Sequence, residues 1–304
     1  MIEDKCLGGN MNILRKCSLC PRNCCIDRYK NLGYCKANAK IKVSLVSTHM
    51  YEEPFISGVM GSGTIFFTNC NLGCIFCQNK KIRDGYGKEI SIKRFKEILL
   101  EQQKRNVHNI NLVTPTHYVP LIRKGILKAK KEGLTIPIVY NTSSYENVKT
   151  IKMMDSLVDI YLADLKYFDD KYALKYSNCK NYFKYASNAI EEMYKQVGKP
   201  VIEDGILKKG LVVRILLLPG LREDAKKIIK YLYDTYKDNI YISIMNQYTP
   251  IEKYIYEELN HKVLDEEYDD VVNYACNLGL VNAFIQEGDT QEESFIPDFN
   301  LDNI

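Results

Sequence analysis

The amino-acid sequence predicts an α/β fold in which parallel strands form a partial barrel. After residue 64, short apolar runs alternate about six times with longer segments whose apolar residues recur at spacings of three and four. Repeated strand–helix units of this kind produce a parallel sheet with right-handed crossovers. The sequence has no glycine-rich dinucleotide-binding turn, so a barrel is favoured over a doubly wound sheet.

The apolar runs predict six buried strands. They lie at residues 64–68, 109–113, 136–140, 160–163, 211–217 and 240–244. The amphipathic segments predict helices at residues 91–103, 120–132, 224–236 and 265–278. Ser91 can cap the start of the first helix and Gly133 the end of the second, and residues 281–286 predict a final strand. Because active sites of such barrels lie at the C-terminal ends of the strands, the residues after each strand are the candidates for chemistry.

The first part of the chain differs in composition from the rest. Six of the eleven cysteines fall within residues 1–40, which lack apolar periodicity. Residues 41–47 form one strand-like run, and a glycine-rich stretch follows at 58–63. We therefore expect a cysteine-rich N-terminal segment and linker over residues 1–63, and a barrel with a C-terminal helix over residues 64–304.

The composition argues against nucleic acid or a membrane as partner. Hydrophobic residues make up 46% and charged residues 26% of the chain, and the net charge of +4 is small. No apolar run approaches the roughly 20 residues that span a bilayer. The N-terminus lacks the apolar region of a secretory signal, so we expect a cytoplasmic protein. In a reducing compartment, closely spaced cysteines indicate metal binding more than disulfides.

Three cysteines follow the first predicted strand on one short loop. In NCNLGCIFCQN, Cys70, Cys74 and Cys77 have C-x3-C-x2-C spacing. Each thiolate can reach a different iron of a cubane, which leaves the fourth iron without a protein ligand. A structural zinc site or an electron-transfer ferredoxin takes four ligands, so the missing fourth predicts an iron that is open to a small molecule. Phe76 can shield the cluster or stack on a flat ring.

This loop resembles the motif of the radical S-adenosylmethionine (SAM) superfamily, which usually carries an aromatic residue before the third cysteine. The phrases CSLCPRNC, GSGTIFFTNCNLGCIFCQN, HNINLVTPTHYVP and IVYNTS resemble its pyruvate formate-lyase-activating-enzyme-like, uncharacterised iron–sulfur branch over most of the chain. The resemblance implies a partial (β/α)6 TIM-like barrel of the radical SAM type with a small cysteine-rich N-terminal metal-binding segment. It also implies an oxidoreductase whose [4Fe–4S] cluster, on Cys70, Cys74 and Cys77, reductively cleaves SAM to methionine and a 5′-deoxyadenosyl radical that abstracts hydrogen.

Polar residues at the other strand ends are candidates for SAM binding. Thr114 and Thr116 stand where many members of the superfamily have Gly-Gly-Glu-Pro, which grips the SAM amino group. Arg214 lies inside an apolar strand and is expected to meet the SAM carboxylate or Asp164. The full set of expected contacts is Phe76, Thr114, Thr116, Asn141, Ser143, Asp164, Lys166, Arg214 and Gln247.

Several of these positions have a second interpretation. Asn141 and Ser143 equally fit a turn and helix cap. The Asp164-x-Lys166 pair resembles the element of glycyl-radical-enzyme activases that helps hold SAM and the substrate peptide. His117 is a candidate for the cavity, although a lone histidine is more often structural.

The N-terminal cysteines form a second candidate metal site. Cys17, Cys20, Cys24 and Cys35 follow the pattern C-x2-C-x3-C-x10-C, with Cys25 as a spare. Four thiolates fit either a tetrahedral zinc or an auxiliary iron–sulfur centre, and free thiols are the remaining alternative. A segment this polar needs a metal to become ordered. The cysteines that spacing leaves without partners are Cys6, Cys179 and Cys276.

Two classes of function remain open at this point. The first is a radical SAM enzyme that activates a glycyl radical enzyme or modifies a peptide, with a small-molecule substrate as the alternative. The second is a non-catalytic iron–sulfur protein for electron transfer or redox sensing. The enzyme would bind SAM and an electron donor such as flavodoxin or ferredoxin. His49 and the pair Glu52 and Glu53 fit either a lid over the site or a simple linker.

Overall fold

Parallel strands form the centre of one sheet. The computed structural model describes residues 12–286 and 297–304. Within them the strands are β1 (Ile41–His49), β2 (Ser62–Phe67), β3 (Lys88–Ile90), β4 (Asn109–Val113), β5 (Ile138–Thr142), β6 (Ile160–Asp164), β7 (Val201–Glu203), β8 (Ile206–Leu216), β9 (Tyr241–Met245) and β10 (Ala283–Ile285). Strands β2, β4, β5, β6, β8, β9 and β10 are parallel and stand in the sheet in their sequence order. The order contains no switch point, which confirms the expected partial barrel.

Helices lie before and between the strands. They are α1 (Asn12–Arg15), α2 (Pro54–Ser57), α3 (Lys80–Arg83), α4 (Ile92–Lys104), α5 (Val119–Lys131), α6 (Val148–Lys152), α7 (Asp170–Ser177), α8 (Tyr182–Val197), α9 (Arg222–Tyr236) and α10 (Asp265–Asn277). Ser91 caps α4 as predicted, because its hydroxyl accepts the Arg94 amide at 3.0 Å. Gly133 follows α5 with φ +97°, a conformation that glycine adopts without strain. No helix of the described ranges is both long and apolar enough to cross a bilayer.

Strand β5 is displaced from its predicted position. It spans Ile138–Thr142 and not residues 136–140, because Asn141 and Thr142 pair with β6 opposite Leu162 and Ala163. Asn141 is therefore a strand residue whose side chain faces the barrel interior, and the turn interpretation of this residue is wrong.

The segment that follows strand β1 packs inside the barrel. Strand β1 runs antiparallel to β2, so that His49 pairs with Ser62 at the N-terminal end of β2. The chain then enters the barrel interior through helix α2, where Phe55 and Ile56 are buried. These two residues pack against apolar side chains of β5, β6 and β8, namely Val139, Ile160, Leu162, Leu207 and Val212. The segment after β1 is thus part of the core as well as a connection.

The cysteine-rich segment is fastened to the barrel by buried hydrogen bonds. Arg28 is 1% exposed, and its guanidinium donates to the backbone carbonyls of Ala37, Asn38 and His117. The Asn147 side-chain amide donates to the Ser18 carbonyl at 2.9 Å. Because buried carbonyls need donors, this arginine holds both the segment and the turn that follows β4.

We expect the substitution Arg28→Met to destabilise the protein by about 3 kcal/mol, because it leaves buried carbonyls without their donors while keeping most of the side-chain volume. Urea denaturation measures the effect. Lys30→Met is the matched control, since Lys30 is exposed. Equal urea midpoints for the two variants would contradict the anchoring role of Arg28.

Candidate active site

A cavity of about 370 Å³ lies inside the barrel at the C-terminal ends of the parallel strands. Three cysteines of its wall belong to the loop after β2. The wall also contains every residue expected to contact SAM except Thr116, that is Phe76, Thr114, Asn141, Ser143, Asp164, Lys166, Arg214 and Gln247. The tertiary structure therefore brings together side chains from the ends of five parallel strands and from the loop after β2.

The three-cysteine loop is held in a defined shape. The Cys74 thiol is buried and lies 3.1 Å from the Ser177 hydroxyl, which in turn lies 2.8 Å from the Tyr167 hydroxyl. The Ile75 amide donates to the Tyr176 carbonyl at 2.9 Å. Gly73 has φ +73°, which a residue with a side chain would adopt only with strain.

The electrostatics of the loop fit a cationic cluster. Burial, together with the nearby thiols of Cys74 and Cys70, raises the pKa of Cys77 to about 12. Burial also raises the pKa of Cys70, while the backbone amides of Gly73 and Leu72 oppose the increase. Buried thiols of this kind ionise only where positive charge is supplied, and iron atoms supply it.

The N-terminal segment supports this loop through Arg22. The Arg22 guanidinium donates to the carbonyls of Asn71 and Leu72, both at 2.9 Å, and to the Ser177 carbonyl at 3.0 Å. It stacks over the Tyr34 ring, with 3.6 Å from the guanidinium carbon to the ring centre. One side chain thus connects the cysteine-rich segment, the loop after β2 and the end of α7.

A buried ionic network forms the inner side of the cavity. Arg214 donates to Asp164 at 2.8 Å, to Glu52 at 3.0 Å and to Asn141 at 2.8 Å. The Lys166 ammonium lies 2.9 Å from Asp164. Burial by itself would raise the pKa of Asp164, but Arg214 and Lys166 hold the pKa below its usual value, so this carboxylate is ionised. The expected pairing of Arg214 with Asp164 is present.

Sequence reasoning missed the part that Glu52 has in this network. Glu52 also accepts from the Asn111 amide at 2.8 Å, and burial raises its pKa although Arg214 opposes the increase. His49 and Glu53 line the same cavity. A buried arginine in an apolar strand was the available signal, since it requires carboxylate partners, but many carboxylates in the chain satisfied that condition.

Thr116 does not reach the cavity. It opens a short 3-10 turn after β4 and is buried, with its hydroxyl 2.6 Å from the Glu146 carboxylate. Glu146 also accepts from Tyr140 at 3.1 Å and from Thr142 at 2.8 Å. Burial raises the pKa of Glu146 to about 7 in spite of these donors. The expectation that Thr116 contacts SAM is therefore wrong for this structure, because Glu146 already occupies its hydroxyl.

His117 is structural. Its ring is buried and bonds to the Thr68 carbonyl at 2.8 Å, and burial lowers its pKa to about 3. The remaining cysteines have varied surroundings: Cys17, Cys20, Cys35 and Cys179 are buried, Cys24 is half-buried, and Cys25 and Cys276 are exposed. Cys6 lies outside the described residues.

Comparison with known proteins agrees with the fold. The family model of the radical SAM superfamily matches residues 64–232, which is more than half of the chain. The chain therefore belongs to the radical SAM superfamily. It is a radical SAM enzyme, and membership of the family implies SAM and a [4Fe–4S] cluster as its cofactors.

The individual proteins that this chain resembles share less than a third of its residues in the aligned regions. The uncharacterized protein MJ0674 of Methanocaldococcus jannaschii is 28% identical over 285 residues, which cover 89% of this chain and 78% of that protein. Streptococcus suis SuiB bound to the precursor peptide SuiA has a TM-score of 0.50 and 13% identity, over 73% of this chain and 47% of SuiB. A domain of pyruvate-formate lyase-activating enzyme from Bacteroides vulgatus has a TM-score of 0.40 and 14% identity, over 56% of this chain and 92% of the domain. The chain spans about half the length of SuiB, and the likeness shows the fold alone.

We expect Arg22→Ala to release the cluster to a chelator roughly tenfold faster than wild type, because a charged donor to several loop carbonyls is lost. Iron release from the anaerobically reconstituted protein measures this rate. Arg22→Lys should be intermediate, since one ammonium cannot reach all the carbonyls. Arg222→Ala, at a half-exposed surface arginine, is the control, and identical rates for Arg22→Ala and Arg222→Ala would refute the role of Arg22.

Glu146 should give stability a pH dependence. Its pKa of about 7 in the folded chain exceeds the roughly 4.3 of an unfolded glutamate, so the folded state binds more protons between these values. The stabilisation is fully present below a pH of about 4.3 and is lost as pH rises through about 7. Relative to Glu146→Gln, the wild-type free energy of unfolding should fall by roughly 3 kcal/mol across that window.

Urea denaturation at a series of pH values tests the contribution of Glu146. Glu203→Gln, at an exposed position of β7, is the control and should follow the wild-type curve. Parallel curves for wild type and Glu146→Gln would show that the Glu146 carboxyl does not carry the effect.

Proposed function

We propose that this enzyme holds its [4Fe–4S] cluster on Cys70, Cys74 and Cys77, cleaves SAM reductively and uses the resulting radical to abstract hydrogen from a substrate. The observation that carries the proposal is the cavity wall, which among the described residues contains these three cysteines and no fourth. When bound, the cluster supplies one electron to SAM, which divides into methionine and a 5′-deoxyadenosyl radical. The residues of this chain bind and orient SAM and shield the radical from water.

The charged residues at the strand ends suit the ends of SAM. Lys166 is 15% exposed and uses Asp164 as one partner, so its ammonium retains donors for the SAM carboxylate. Thr114 follows β4 with φ +58° and lines the cavity, so its hydroxyl and carbonyl are candidate acceptors for the SAM ammonium. Asn141, Ser143 and Gln247 supply further polar contacts.

Phe76 suits the role of excluding water. It is buried, and its ring meets those of Tyr176 and Tyr248 edge-on, with centre distances of 6.4 and 6.1 Å. This aromatic group stands beside the three-cysteine loop, where a dry environment protects a reactive radical from side reactions.

A groove beside the cavity supports a peptide or protein segment as substrate. Tyr51, Glu52 and Gln247 line both the cavity and the groove, so the two spaces share a wall. Val59 in the groove wall is 86% exposed, and such apolar side chains suit an extended partner. Activation of a glycyl radical enzyme and modification of a peptide both fit this arrangement, with a flavodoxin or ferredoxin as the electron donor.

A small molecule is the second candidate substrate. The ionic network of Arg214, Asp164 and Glu52 closes the inner end of the cavity, and such a polar end suits a compact polar substrate. A role in electron transfer alone would leave this ordered cavity without a purpose.

We expect Cys74→Ala to lose both the cluster and the ability to form 5′-deoxyadenosine, because a three-ligand cluster cannot spare a thiolate. The measurement is 5′-deoxyadenosine formed from SAM by anaerobically reconstituted protein with dithionite. Cys276→Ala is the control and should match wild type, since Cys276 is exposed and distant in sequence. Unchanged cleavage in Cys74→Ala would overturn the ligand assignment, and no cleavage by wild type would favour the electron-transfer alternative.

A further inference from the structure

The three-cysteine loop comes near the protein surface beneath Tyr34. A Cβ atom at Gly73 in that loop would lie 3.4 Å from the Tyr34 hydroxyl. Tyr34 is 42% exposed, whereas Cys74, the residue after Gly73, is buried. The wall of the cavity does not include Tyr34. One partly exposed aromatic side chain therefore separates the loop from solvent at a place outside the cavity.

Arg22 joins Tyr34 to the end of helix α7. The Arg22 guanidinium lies 3.6 Å from the centre of the Tyr34 ring and donates to the Asn178 carbonyl. Leu174 is 44% exposed and stands one helical turn before Asn178, whose amide donates to the Leu174 carbonyl at 3.1 Å. Leu32, two residues before Tyr34, is 61% exposed. Two segments that are distant in sequence thus present exposed apolar side chains around Tyr34.

The unpaired charge around Tyr34 is positive. Lys36 and Lys180 are exposed, and neither side chain forms an ion pair with a residue in the described part of the chain. The Lys180 carbonyl accepts the Tyr145 hydroxyl at 3.1 Å, and the Tyr145 ring lies beside the same arginine that stacks on Tyr34. Asp84, a carboxylate that interacts with Lys36, is already held by Arg83 at 2.9 Å. The two lysines therefore remain available to an acidic partner.

The Tyr34 surface consists of the exposed side chains of Leu32, Tyr34, Lys36, Leu174 and Lys180. An apolar centre with a polar rim is typical of protein–protein contacts, and charges at the rim accelerate association with an oppositely charged partner. The proposed reaction consumes one electron for each SAM molecule that is cleaved, while SAM and substrate fill the cavity. The electron must therefore cross the protein wall, and transfer is fastest where that wall is thinnest.

We propose that the Tyr34 surface docks a protein electron donor whose own surface is acidic, and that the electron enters the three-cysteine loop beneath Tyr34. The reduced cofactor of the donor loses one electron and the cluster gains it, while no bond forms or breaks and no proton moves. This inference rests on the proposed function, which assigns the cluster to that loop. The contact should be small and transient, below about 1,200 Å², as electron-transfer encounters are.

The test uses the anaerobically reconstituted full-length protein and, as the donor, a fully reduced flavodoxin whose flavin is surrounded by carboxylates. Rapid mixing follows the flavin absorbance as the flavin loses one electron. We expect Lys36→Glu combined with Lys180→Glu to lower the second-order rate about tenfold at low salt, because rim charges steer association. Added salt should slow the wild type and should not slow this variant.

Lys104→Glu combined with Lys128→Glu is the matched control, since it changes the net charge by the same amount. Both lysines are exposed and lie near the C-terminal ends of α4 and α5. These helix ends lead into the starts of β4 and β5, so the control charges lie at the end of the barrel opposite the loop. The control should stay within about twofold of wild type, and equal rates for the two double variants would overturn the proposal.

Two further measurements separate docking from chemistry. Calorimetric titration of oxidised flavodoxin into the reconstituted protein without SAM should show about tenfold weaker binding for the Lys36→Glu, Lys180→Glu variant than for the control. Equal affinities would contradict the docking site. Dithionite is a small reductant that needs no docking site, so with it both variants should form 5′-deoxyadenosine at the wild-type rate.

The dithionite reaction also distinguishes this proposal from the proposed function. Loss of product in the Lys36→Glu, Lys180→Glu variant alone would show damage to the active site and would overturn the docking assignment. Absence of product from the wild type would instead count against the proposed function, while the calorimetric titration would still decide whether the Tyr34 surface binds the donor.

Discussion

The buried guanidinium of Arg214 is the interaction on which the barrel interior depends. It is placed by β8 in a low-dielectric space where an unpaired charge is very costly, so the partners it needs constrain several elements at once. Asp164 on β6, Asn141 on β5 and Glu52 after β1 all bond to it. The same contacts fix the inner end of the cavity and keep Asp164 ionised beside Lys166. One charged side chain thereby joins the segment after β1, the sheet and the candidate SAM site.

A second arginine, Arg22, connects several elements around the three-cysteine loop. Arg22 belongs to the cysteine-rich segment but bonds to the carbonyls of the three-cysteine loop and of α7. The geometry of the cluster loop therefore depends on the ordering of a segment that carries several further cysteines. Arg22 therefore connects the cysteine-rich segment to the barrel through hydrogen bonds to backbone carbonyls. Such carbonyls must be hydrogen-bonded when they are buried.

Much of the architecture could be predicted from the sequence because the signals are local. Alternation of apolar runs and amphipathic segments gave the parallel strands and long helices, and cysteine spacing selected both candidate metal sites. The strand ends supplied cavity residues wherever a residue ends or directly follows its strand, as Asp164 ends β6 and Thr114 follows β4. Errors arose where backbone pairing overrode composition, as at β5, which was predicted to end at residue 140 but extends to Thr142.

The sequence by itself determined the class of barrel and the identity of the three-cysteine loop, since both follow from patterns within short stretches of chain. Only the tertiary structure decided that Glu52 enters the barrel beneath the site, because that depends on β1 running antiparallel to β2. Only the tertiary structure turned Thr116 toward Glu146 and brought Arg22 to the loop some 50 residues away. These contacts join residues that are distant in sequence. Which residues pair depends on the buried charges and carbonyls that still lack a partner once the sheet has formed.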